Sequence, residues 1–519
     1  MNDSFTLTIL HTSDTHGCLL NHDYSKNTKT NSGMNLLSSL IKQHRTDHTL
    51  LVDTGDAIQG SPLLYFHQIN QDRFPNPVAA VFNYLGYDYF VPGNHDFNYG
   101  IDYLLGFVKN IKAKTVCANI LDDQGQPLFK NAYDIIQYPN GPKVAFIGIT
   151  TQYIPKWEKP ENIRDFQFVS AVTKTKDLVE EIKINHCPDL IILGYHGGFE
   201  RDLDTDDWLV EDTGENLGHR IIESVPDLDV VLTGHQHRII CKKKNKTMIT
   251  QPGGSAQYLG KVEVKMEYEG KWKVKAYQSQ MLSTDNVTLD NYIDQLVNDI
   301  EKETSLFLNE TIGVVPNNDL EVHDAFFARL EKHKIVSFIN HVQLQASQAM
   351  ISLTALANQV SGFKQTISIR DILNTYVYPN TLVVKRIDGK TLKAALEKNA
   401  SYFTIVEDEI TINPKFIFPK AEHYNYDMFD GIEYTIKVSN PEGSRILDLK
   451  RNGKLIKDDD EFTMVMSNYR ATGGGEFLMY KNLPIEREIN QDIAEIMIDY
   501  IRRTKEIIQE DPKNIKVIK

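Results

Sequence analysis

Several features that mark membrane, secreted and nucleic-acid-binding proteins are scarce or absent in this sequence of 519 residues. No apolar run approaches the roughly 20 residues that a membrane-spanning helix needs, so no membrane partner is expected. The four cysteines are far apart and form no Cys-x-x-Cys pair, which predicts reduced thiols rather than a disulfide framework. The formal net charge of −14 disfavours binding to a nucleic-acid polymer, because such proteins carry a basic face.

Targeting segments are also not evident. The first residues show neither the basic segment nor the apolar segment of a secretory signal, and residues 514–519 show no anchor signal. We therefore expect a cytoplasmic protein with reduced cysteines.

The first half of the chain alternates candidate strands and helices, and the total length predicts at least two domains. Apolar spacing predicts helices over 33–44 and 170–185. Short apolar runs predict strands over 5–12, 49–52, 144–150, 190–194 and 229–232. This alternation indicates an α/β fold with mainly parallel or mixed sheets, whose functional loops follow the strand ends.

Oxygen and imidazole side chains follow four of these candidate strands and a fifth, which is predicted to end at Tyr89-Phe90-Val91. The residues at these exits are Asp14 and His16, Asp56, Asn94 and His95, His196, and His235 and His237. One aspartate after a strand is ordinarily a helix cap, but five such exits are hard to explain as caps. A mixture of Asp, Asn and His without Cys suits Mn, Fe, Co or Zn rather than Ca.

A site for two divalent ions follows from this pattern. A carboxylate such as Asp56 can bridge two cations held about 3.5–4 Å apart, which then clamp a transferring phosphoryl group. The acidic net charge does not exclude an anionic small molecule, because bound cations reverse the local field in a cleft.

The sequence blocks at these exits resemble a known family. Asp14-x-His16, Gly55-Asp56, Gly93-Asn94-His95-Asp96, His196 and Gly234-His235-x-His237 are similar to the five blocks of the calcineurin-like metallophosphoesterases. The whole chain resembles the two-domain family of 5′-nucleotidases and 2′,3′-cyclic-nucleotide 2′-phosphodiesterase/3′-nucleotidases, and it resembles the latter branch more. The resemblance implies an N-terminal sandwich of two mixed sheets flanked by helices, a linker helix and a C-terminal α/β substrate domain.

The resemblance also implies individual roles. One metal ion would bind Asp14, His16, Asp56 and His237, and the other would bind Asp56, Asn94, His196 and His235. His95 would face the leaving group, with Asn98 beside it. Asp53 is expected to fix the loop ahead of Asp56, and we expect His11, His22 and His219 to be structural or solvated.

The second half of the chain carries aromatic residues on loops rich in Gly, Asn and Pro. These loops are Tyr376-Val377-Tyr378-Pro379-Asn380-Thr381, the segment 424–431 and the segment 467–475. Such rings either cap the domain's own core or wait for a flat ligand. By resemblance, Tyr378 and Tyr469 would sandwich a nucleobase, while Asp430 and Asn380 would line the same cleft.

Domain bounds follow from the same comparison. We expect a metallophosphoesterase domain over 1–285, a linker helix over 286–310 and a substrate-binding domain over 311–519. The helix prediction rests on a strong apolar stripe between residues 288 and 308.

Two departures from family patterns bear on the substrate. Secreted 5′-nucleotidases have Asp at the position of Asn98, whereas the cyclic-phosphodiesterase branch has Asn. The segment 357–364 lacks the Asn-Gly-Gly-x-Arg run of 5′-nucleotidases. Both departures favour the cyclic-phosphodiesterase branch.

The resemblance therefore implies an enzyme that hydrolyses phosphoesters of small-molecule nucleotides with two divalent metal ions. A 5′-nucleotidase or a nucleotide-sugar diphosphatase with the same site is the alternative enzyme. A nucleotide-binding module without turnover is the non-enzymatic alternative. The oligomeric state is left open.

Overall fold

The chain folds as two compact units, Met1–Thr304 and Ser305–Lys519. The computed structural model describes residues 4–24, 26–156, 158, 160–209, 212–378, 380–418, 420–489 and 491–519. Residues 1–3 and Pro379, which figure in the sequence predictions, lie outside the described residues. The helix Asn291–Leu308 contains the division between the units. That this segment links a catalytic domain to a substrate domain stays a prediction.

The first unit is built around two mixed sheets. The order of strands in the first sheet is Trp272–Ser283, Tyr258–Tyr268, Ser4–Thr12, Thr49–Asp53, Tyr89–Phe90 and Lys114–Thr115. The order in the second sheet is Ile239–Lys244, Thr247–Pro252, Val230–Thr233, Leu190–His196, Lys143–Thr150 and Tyr133–Gln137. Within each sheet the central strands run parallel, so their carboxyl ends share one edge.

The two sheets stack face to face over an apolar core. Val144 and Phe146 belong to the core between the sheets, together with Leu7 and Ile9 of the first sheet. The alternate residue Ile147 faces the other way, into a second core that includes residues of the helix Ala171–His186. This alternation places apolar side chains on both faces of the strand and confirms the predicted sandwich flanked by helices.

The helices of the first unit begin at residues that suit helix starts. Ser61 and Asn76 each cap a helix with a side-chain oxygen, and a proline follows at the first helical position. The helices are Met34–His44, Pro62–Gln68, Pro77–Leu85, Ile101–Asn110, Pro160–Ile163, Ala171–His186, Gly218–Ser224 and Asn291–Leu308.

Smaller strand pairs complete the first unit. The strand Gln167–Phe168 pairs with Ile120–Leu121, and His22–Asp23 pairs with Thr28–Lys29.

The second unit is also α/β. Its five-stranded sheet has the order Asp427–Asp430, Ile351–Ala355, Glu461–Ser467, Leu382–Asp388 and Ile485–Ile489. A four-stranded sheet has the order Lys454–Leu455, Ile446–Arg451, Glu433–Lys437 and Ile515–Ile518. Three short pairs join Thr311–Val314 to Thr366–Ser368, Leu320–Glu321 to Gly362–Phe363, and Phe403–Val406 to Glu409–Ile412. The helices are Ala325–Leu330, Lys334–Ser347, Ile369–Thr375, Gly389–Ala400, Asn468–Ala471 and Ile493–Thr504.

Two expectations from composition can be compared with the structure. Among the described residues, no helix is both long enough and apolar enough to cross a membrane. All four cysteines are unpaired: Cys18, Cys117, Cys187 and Cys241. That the thiols are reduced, and that the protein is cytoplasmic, stay predictions.

Candidate active site

Six of the side chains predicted to bind metal come together in the first unit as two groups. The first group is Asp14, His16 and His237, and the second is Asp56, His196 and His235. Within each group, one potential ligand atom of every residue lies within 4.8 Å of the others. Asp14 and His237 of the first group are more than two hundred positions apart in the sequence, so it is the fold that brings them together.

Both groups draw side chains from both sheets. Asp14, His16 and Asp56 follow strands of the first sheet, while His235 and His237 follow Val230–Thr233 of the second. Because the parallel strands of each sheet end at one edge, stacking the sheets brings the two sets of loops together.

The first group is held by contacts among its own members. The Nε2 atom of His237 lies 3.4 Å from Asp14 Oδ1 and 3.1 Å from His16 Nε2. The Nδ1 atom of His16 lies 3.0 Å from the backbone oxygen of Gln59. Burial and the charge of His237 lower the pKa of His16 to about 4, which favours the neutral imidazole that binds metal ions.

The second group includes the amide of Asn94. Asn94 Oδ1 lies 3.0 Å from His196 Nε2 and 2.9 Å from His235 Nδ1. The other nitrogen of His196 donates to the backbone oxygen of Thr54 at 2.6 Å, which leaves Nε2 for the site.

One carboxylate oxygen of Asp56 indicates that these residues fit a metal ion. Its Oδ2 atom is buried and has no hydrogen-bond donor among the described residues, although His196 Nε2 lies 3.3 Å away. A buried carboxylate oxygen without a donor is costly, and a divalent cation would satisfy it. Burial alone would lower the pKa of His196, but the nearby Asp56 carboxylate raises it to about 10, which shows that positive charge beside this oxygen is favoured. The donor set and this unsatisfied oxygen therefore fit bound cations.

The backbone at the two groups is unusual. Five of the predicted ligands have left-handed φ angles, between 49° and 71°: Asp14, His16, Asp56, His235 and His237. Non-glycine residues adopt this region rarely and at a cost, and such residues concentrate at functional sites. Left-handed backbone at all five positions supports the assignment of these loops to a functional site.

Two glycines allow the loops to approach closely. A Cβ atom on Gly93 would lie 2.3 Å from Asp56 Oδ1, and one on Gly234 would lie 2.7 Å from Asp14 Oδ2. Any other residue at either position would push a predicted ligand aside.

Asp96 organises the loops, although the sequence analysis assigned it no role. Its carboxylate accepts hydrogen bonds from the backbone N–H groups of Gly93, Asp56, Ala57 and Ile58 at 2.7–3.0 Å. Burial and the charge of Asp56 raise the pKa of Asp96 to about 6. Its place inside the Gly93-Asn94-His95-Asp96 block was the available signal.

Asp53 behaves as expected. It accepts hydrogen bonds from the backbone N–H of Gly55 at 2.8 Å and from the hydroxyl of Thr12 at 2.6 Å. The prediction that it fixes the loop ahead of Asp56 is confirmed.

His95 lies beside the first group and contacts Asn98. The ring centroids of His95 and His16 are 5.3 Å apart, and the backbone N–H of His95 donates to Asp56 Oδ1 at 2.7 Å. The Nδ1 atom of His95 lies 2.7 Å from Asn98 Oδ1. The amide nitrogen of Asn98 donates in turn to Glu158 Oε2 at 2.7 Å.

Two carboxylates at the site carried no signal in the sequence analysis. Glu158 contacts Asn98, and Glu215 Oε1 lies 2.7 Å from His235 Nε2. Glu215 thereby orients His235 so that Nδ1 points toward Asn94. Neither residue stands in a motif, and both lie in loops far along the chain from their partners.

In the second unit, three tyrosines form one aromatic cluster. The ring of Tyr424 lies edge-on to Tyr378 at 5.8 Å and to Tyr469 at 6.5 Å. All three side chains are half-buried. The two tyrosines predicted to hold a nucleobase therefore border a common third ring.

The buried Arg470 holds the backbone that carries two of these tyrosines, Tyr424 and Tyr469. Its guanidinium pairs with Asp427 at 2.8 Å and donates to the backbone oxygen of Tyr424 at 3.1 Å. Arg470 and Asp427 are both buried. The segments that carry Tyr424 and Tyr469 are thus tied to each other.

The other two predicted cleft residues have different surroundings. The side-chain amide of Asn380 lies 3.5 Å from the hydroxyl of Tyr376. Asp430 lies at the far end of the strand from Asp427 and accepts a hydrogen bond from the buried Lys332 at 2.7 Å. Their roles in lining the cleft stay predictions.

Comparison with protein families matches both units. The calcineurin-like phosphoesterase family model matches residues 7–238, and the model of the 5′-nucleotidase C-terminal domain matches residues 311–482.

Individual relatives extend over nearly the whole chain. The chain is 26% identical to the trifunctional nucleotide phosphoesterase protein YfkN of Bacillus subtilis over 96% of its length, yet it spans only 38% of that protein. It is also 26% identical to a 2′,3′-cyclic-nucleotide 2′-phosphodiesterase/3′-nucleotidase of Haemophilus influenzae, covering 96% of this chain and 85% of that one.

A solved structure is more similar still. A Staphylococcus aureus protein assigned as a 5′-nucleotidase, crystallised with α-ketoglutarate, matches with a TM-score of 0.91 and 32% identity. The match covers 99% of this chain and 100% of that one. The chain therefore belongs to the 5′-nucleotidase family of calcineurin-like phosphoesterases, which are hydrolases that bind divalent metal ions.

Proposed function

We propose that this protein hydrolyses nucleotide phosphoesters with two divalent metal ions, and that 2′,3′-cyclic nucleotides and 3′-nucleotides are its substrates. The observation that carries the proposal is the pair of ligand groups, together with the buried Asp56 oxygen that accepts no hydrogen bond among the described residues. The Haemophilus influenzae relative named for this activity supports the substrate class.

The metal ions are assigned by ligand type. Asp14, His16, Asp56 and His237 would hold one ion, and Asp56, Asn94, His196 and His235 would hold the other. This donor set of carboxylate, amide and imidazole suits Mn, Fe, Co or Zn. When bound, the ions polarise the phosphoryl group and supply a hydroxide at neutral pH.

The protein's own residues would protonate the leaving group and hold the metal ligands in position. His95 would donate the proton from Nε2 that the departing ribose oxygen needs, while Asn98 accepts the hydrogen bond from Nδ1. Asp96 holds the loops that carry Asp56 and Asn94 through four backbone hydrogen bonds. The reacting groups are thereby positioned before the substrate binds.

The second unit would bind the nucleobase. Tyr378 and Tyr469 would stack on the base, and Asn380 and Asp430 would line the same cleft. A stacked aromatic face contributes about 1–3 kcal/mol and accepts any base, so broad base tolerance is expected. The edge of Tyr424, which contacts both rings, would close one side of the slot.

One observation favours a second candidate. The Staphylococcus aureus structure assigned as a 5′-nucleotidase is 32% identical to this chain. A preference for 5′-nucleotides would use the same metal ligands. Asn98 and the segment 357–364, which lacks the Asn-Gly-Gly-x-Arg run, are the features of this chain that argue for the cyclic-phosphodiesterase branch instead.

A substrate panel tests the proposal. The full chain would be stripped with a chelator, reloaded separately with Mn, Co or Zn, and assayed on 2′,3′-cyclic AMP, 3′-AMP, 5′-AMP and a nucleotide sugar. We expect chelator-sensitive turnover, with kcat/KM at least about tenfold higher on the cyclic and 3′ substrates, a difference of about 1.4 kcal/mol.

Other results would support one of the two alternative functions. A higher kcat/KM on 5′-AMP or the nucleotide sugar would support the alternative enzyme. Nucleotide binding without turnover under every metal would support a binding module.

A further inference from the structure

The amide of Asn98 lies between an imidazole and a carboxylate. Its oxygen is 2.7 Å from His95 Nδ1, and its nitrogen is 2.7 Å from Glu158 Oε2. Glu158 is buried. Its other oxygen accepts a hydrogen bond from the amide nitrogen of Asn162 at 2.9 Å. The carboxylate of Glu158 therefore receives two amide donors.

The carboxylate decides which way the Asn98 amide faces. An asparagine side chain can turn over and exchange its oxygen and nitrogen, but an ionised carboxylate only accepts hydrogen bonds. The NH₂ group of Asn98 must therefore face Glu158, and its oxygen must face His95. An oxygen in that place accepts, so His95 Nδ1 carries a proton.

The arrangement fixes the tautomer of His95. With Nδ1 protonated and bonded to Asn98, Nε2 is the nitrogen free to hold or release a proton. We propose that Glu158 is a positioning residue: by locking the Asn98 amide it reserves Nε2 of His95 for proton exchange with the leaving group. The proposal rests on the function proposed above, in which His95 protonates the departing oxygen.

Glu158 is itself held in place. Its backbone N–H donates to the oxygen of Ile154 at 3.0 Å. Asn162 also donates to the backbone oxygen of Phe97 at 3.3 Å, next to Asn98. The segment carrying Glu158 is thus tied to the loop of His95 through both side chains, so the amide is oriented before any substrate arrives.

Leaving-group dependence tests the proposal. Breaking the P–O bond of a 2′,3′-cyclic nucleotide expels a ribose oxygen that must take up a proton, whereas expelled nitrophenolate is stable without one. In Glu158→Ala the Asn98 amide can turn over and present NH₂ to His95 Nδ1. That donor disfavours a proton on Nδ1, and without that proton the ring could release its Nε2 proton only by becoming an anion, so it would be a poorer acid. We expect kcat on the cyclic nucleotide to fall by about 10–100-fold, and a much smaller fall on bis(p-nitrophenyl) phosphate.

Glu161→Ala provides the matched control. It removes an exposed carboxylate from the same segment and leaves the contact between Glu158 and Asn98 intact. We expect kcat on both substrates to change little and equally. Equal losses on both substrates in Glu158→Ala, or no loss on either, would overturn the proposal. Metal content of each variant, measured by atomic emission, separates a positioning effect from a damaged metal site.

A double variant keeps the proposal testable even if Glu158→Ala fails to fold. Asn98→Asp alone puts a second carboxylate beside Glu158, at the position where the Asn98 amide nitrogen now lies 2.7 Å from Glu158 Oε2. Repulsion between the two carboxylates should lower kcat on the cyclic nucleotide. Adding Glu158→Gln gives the new aspartate an amide donor and should restore at least part of kcat. A double variant no more active than Asn98→Asp would contradict the proposal.

The wild-type protein keeps the two hypotheses apart. If it hydrolyses the cyclic nucleotide, the proposed function stands whatever the Glu158 variants do. If it turns over neither substrate with any metal, the proposed function fails, and the role of Glu158 in proton exchange fails with it.

Discussion

At the scale of single residues, the roles proposed for Asp56 and His95 can be separated by experiment. Asp56 is the shared ligand in the proposed metal site and has a buried oxygen without a donor among the described residues. Asp56→Ala should therefore lower bound metal from two ions toward none and abolish hydrolysis. His95→Ala should lower kcat by roughly 10²–10⁴ with metal content unchanged, because His95 belongs to neither ligand group.

Metal analysis and steady-state kinetics on the same preparations measure both effects. Full metal content in Asp56→Ala would refute its bridging role. Metal loss in His95→Ala would show that His95 is a ligand rather than a proton donor. His219→Gln is a suitable control, because His219 contacts Asp206 and belongs to neither group.

The sequence predicts some residue roles and leaves others hidden. Residues that follow strands, such as His235 and His237, could be singled out because topology alone brings strand ends together. Glu158 and Glu215 could not, since their partners Asn98 and His235 lie 60 and 20 positions away in no shared motif. Only the folded loops reveal these hydrogen bonds.

At the scale of elements, one histidine joins the two sheets. His11, on the first sheet, lies with Nε2 2.9 Å from the hydroxyl of Thr54 and Nδ1 2.8 Å from that of Thr250 on the second sheet. Burial lowers the pKa of His11 to about 3, despite the opposing charge of Asp14. The neutral ring is therefore the form that bridges the sheets.

This burial predicts a pH dependence of stability. The folded pKa lies below the unfolded value of 6.5, so the stabilisation is fully present above pH 6.5 and is lost as pH falls toward 3. Relative to His11→Gln, the wild-type free energy of unfolding should fall by up to about 1.4 kcal/mol per pH unit below 6.5. Urea unfolding with chelator present at pH 7.5, 6.5 and 5.5 measures it, and parallel curves for both proteins would contradict it.

Elements with strong periodicity were predictable and short ones were not. The predicted helices 33–44 and 170–185 correspond to Met34–His44 and Ala171–His186. The edge strand Lys114–Thr115 has two residues, too few for any alternation to show, and exists because the neighbouring strand Tyr89–Phe90 offers it hydrogen bonds. Long-range pairing, rather than local pattern, defines such strands.

At the scale of the whole molecule, the proposed hydrolysis and the proposed base binding depend on residues of different units. The metal ligands belong to the first unit, and Tyr378 and Tyr469 belong to the second. Tyr378→Ala and Tyr469→Ala should each raise KM for nucleotides by roughly 5–150-fold, from the loss of about 1–3 kcal/mol of stacking. KM and kcat for bis(p-nitrophenyl) phosphate, which has no nucleobase, should change little.

Steady-state kinetics on the two substrates measure the difference. Tyr268→Ala, at an exposed tyrosine of the first unit, is the matched control. Equal damage on both substrates would mean that Tyr378 and Tyr469 serve the fold of the second unit.

Each ligand group takes side chains from both sheets, which gives the proposed ions a mechanical role. Asp14 of the first group and Asp56 of the second are buried carboxylates, and each is grouped with at least one histidine of the second sheet. Ions bound there would cross-link the two sheets of the sandwich. Ligand binding to the folded state adds about 2.7 kcal/mol of stability at a hundred times the dissociation constant. A cell's supply of these metals would then govern how long the folded chain survives proteolysis as well as how fast it works.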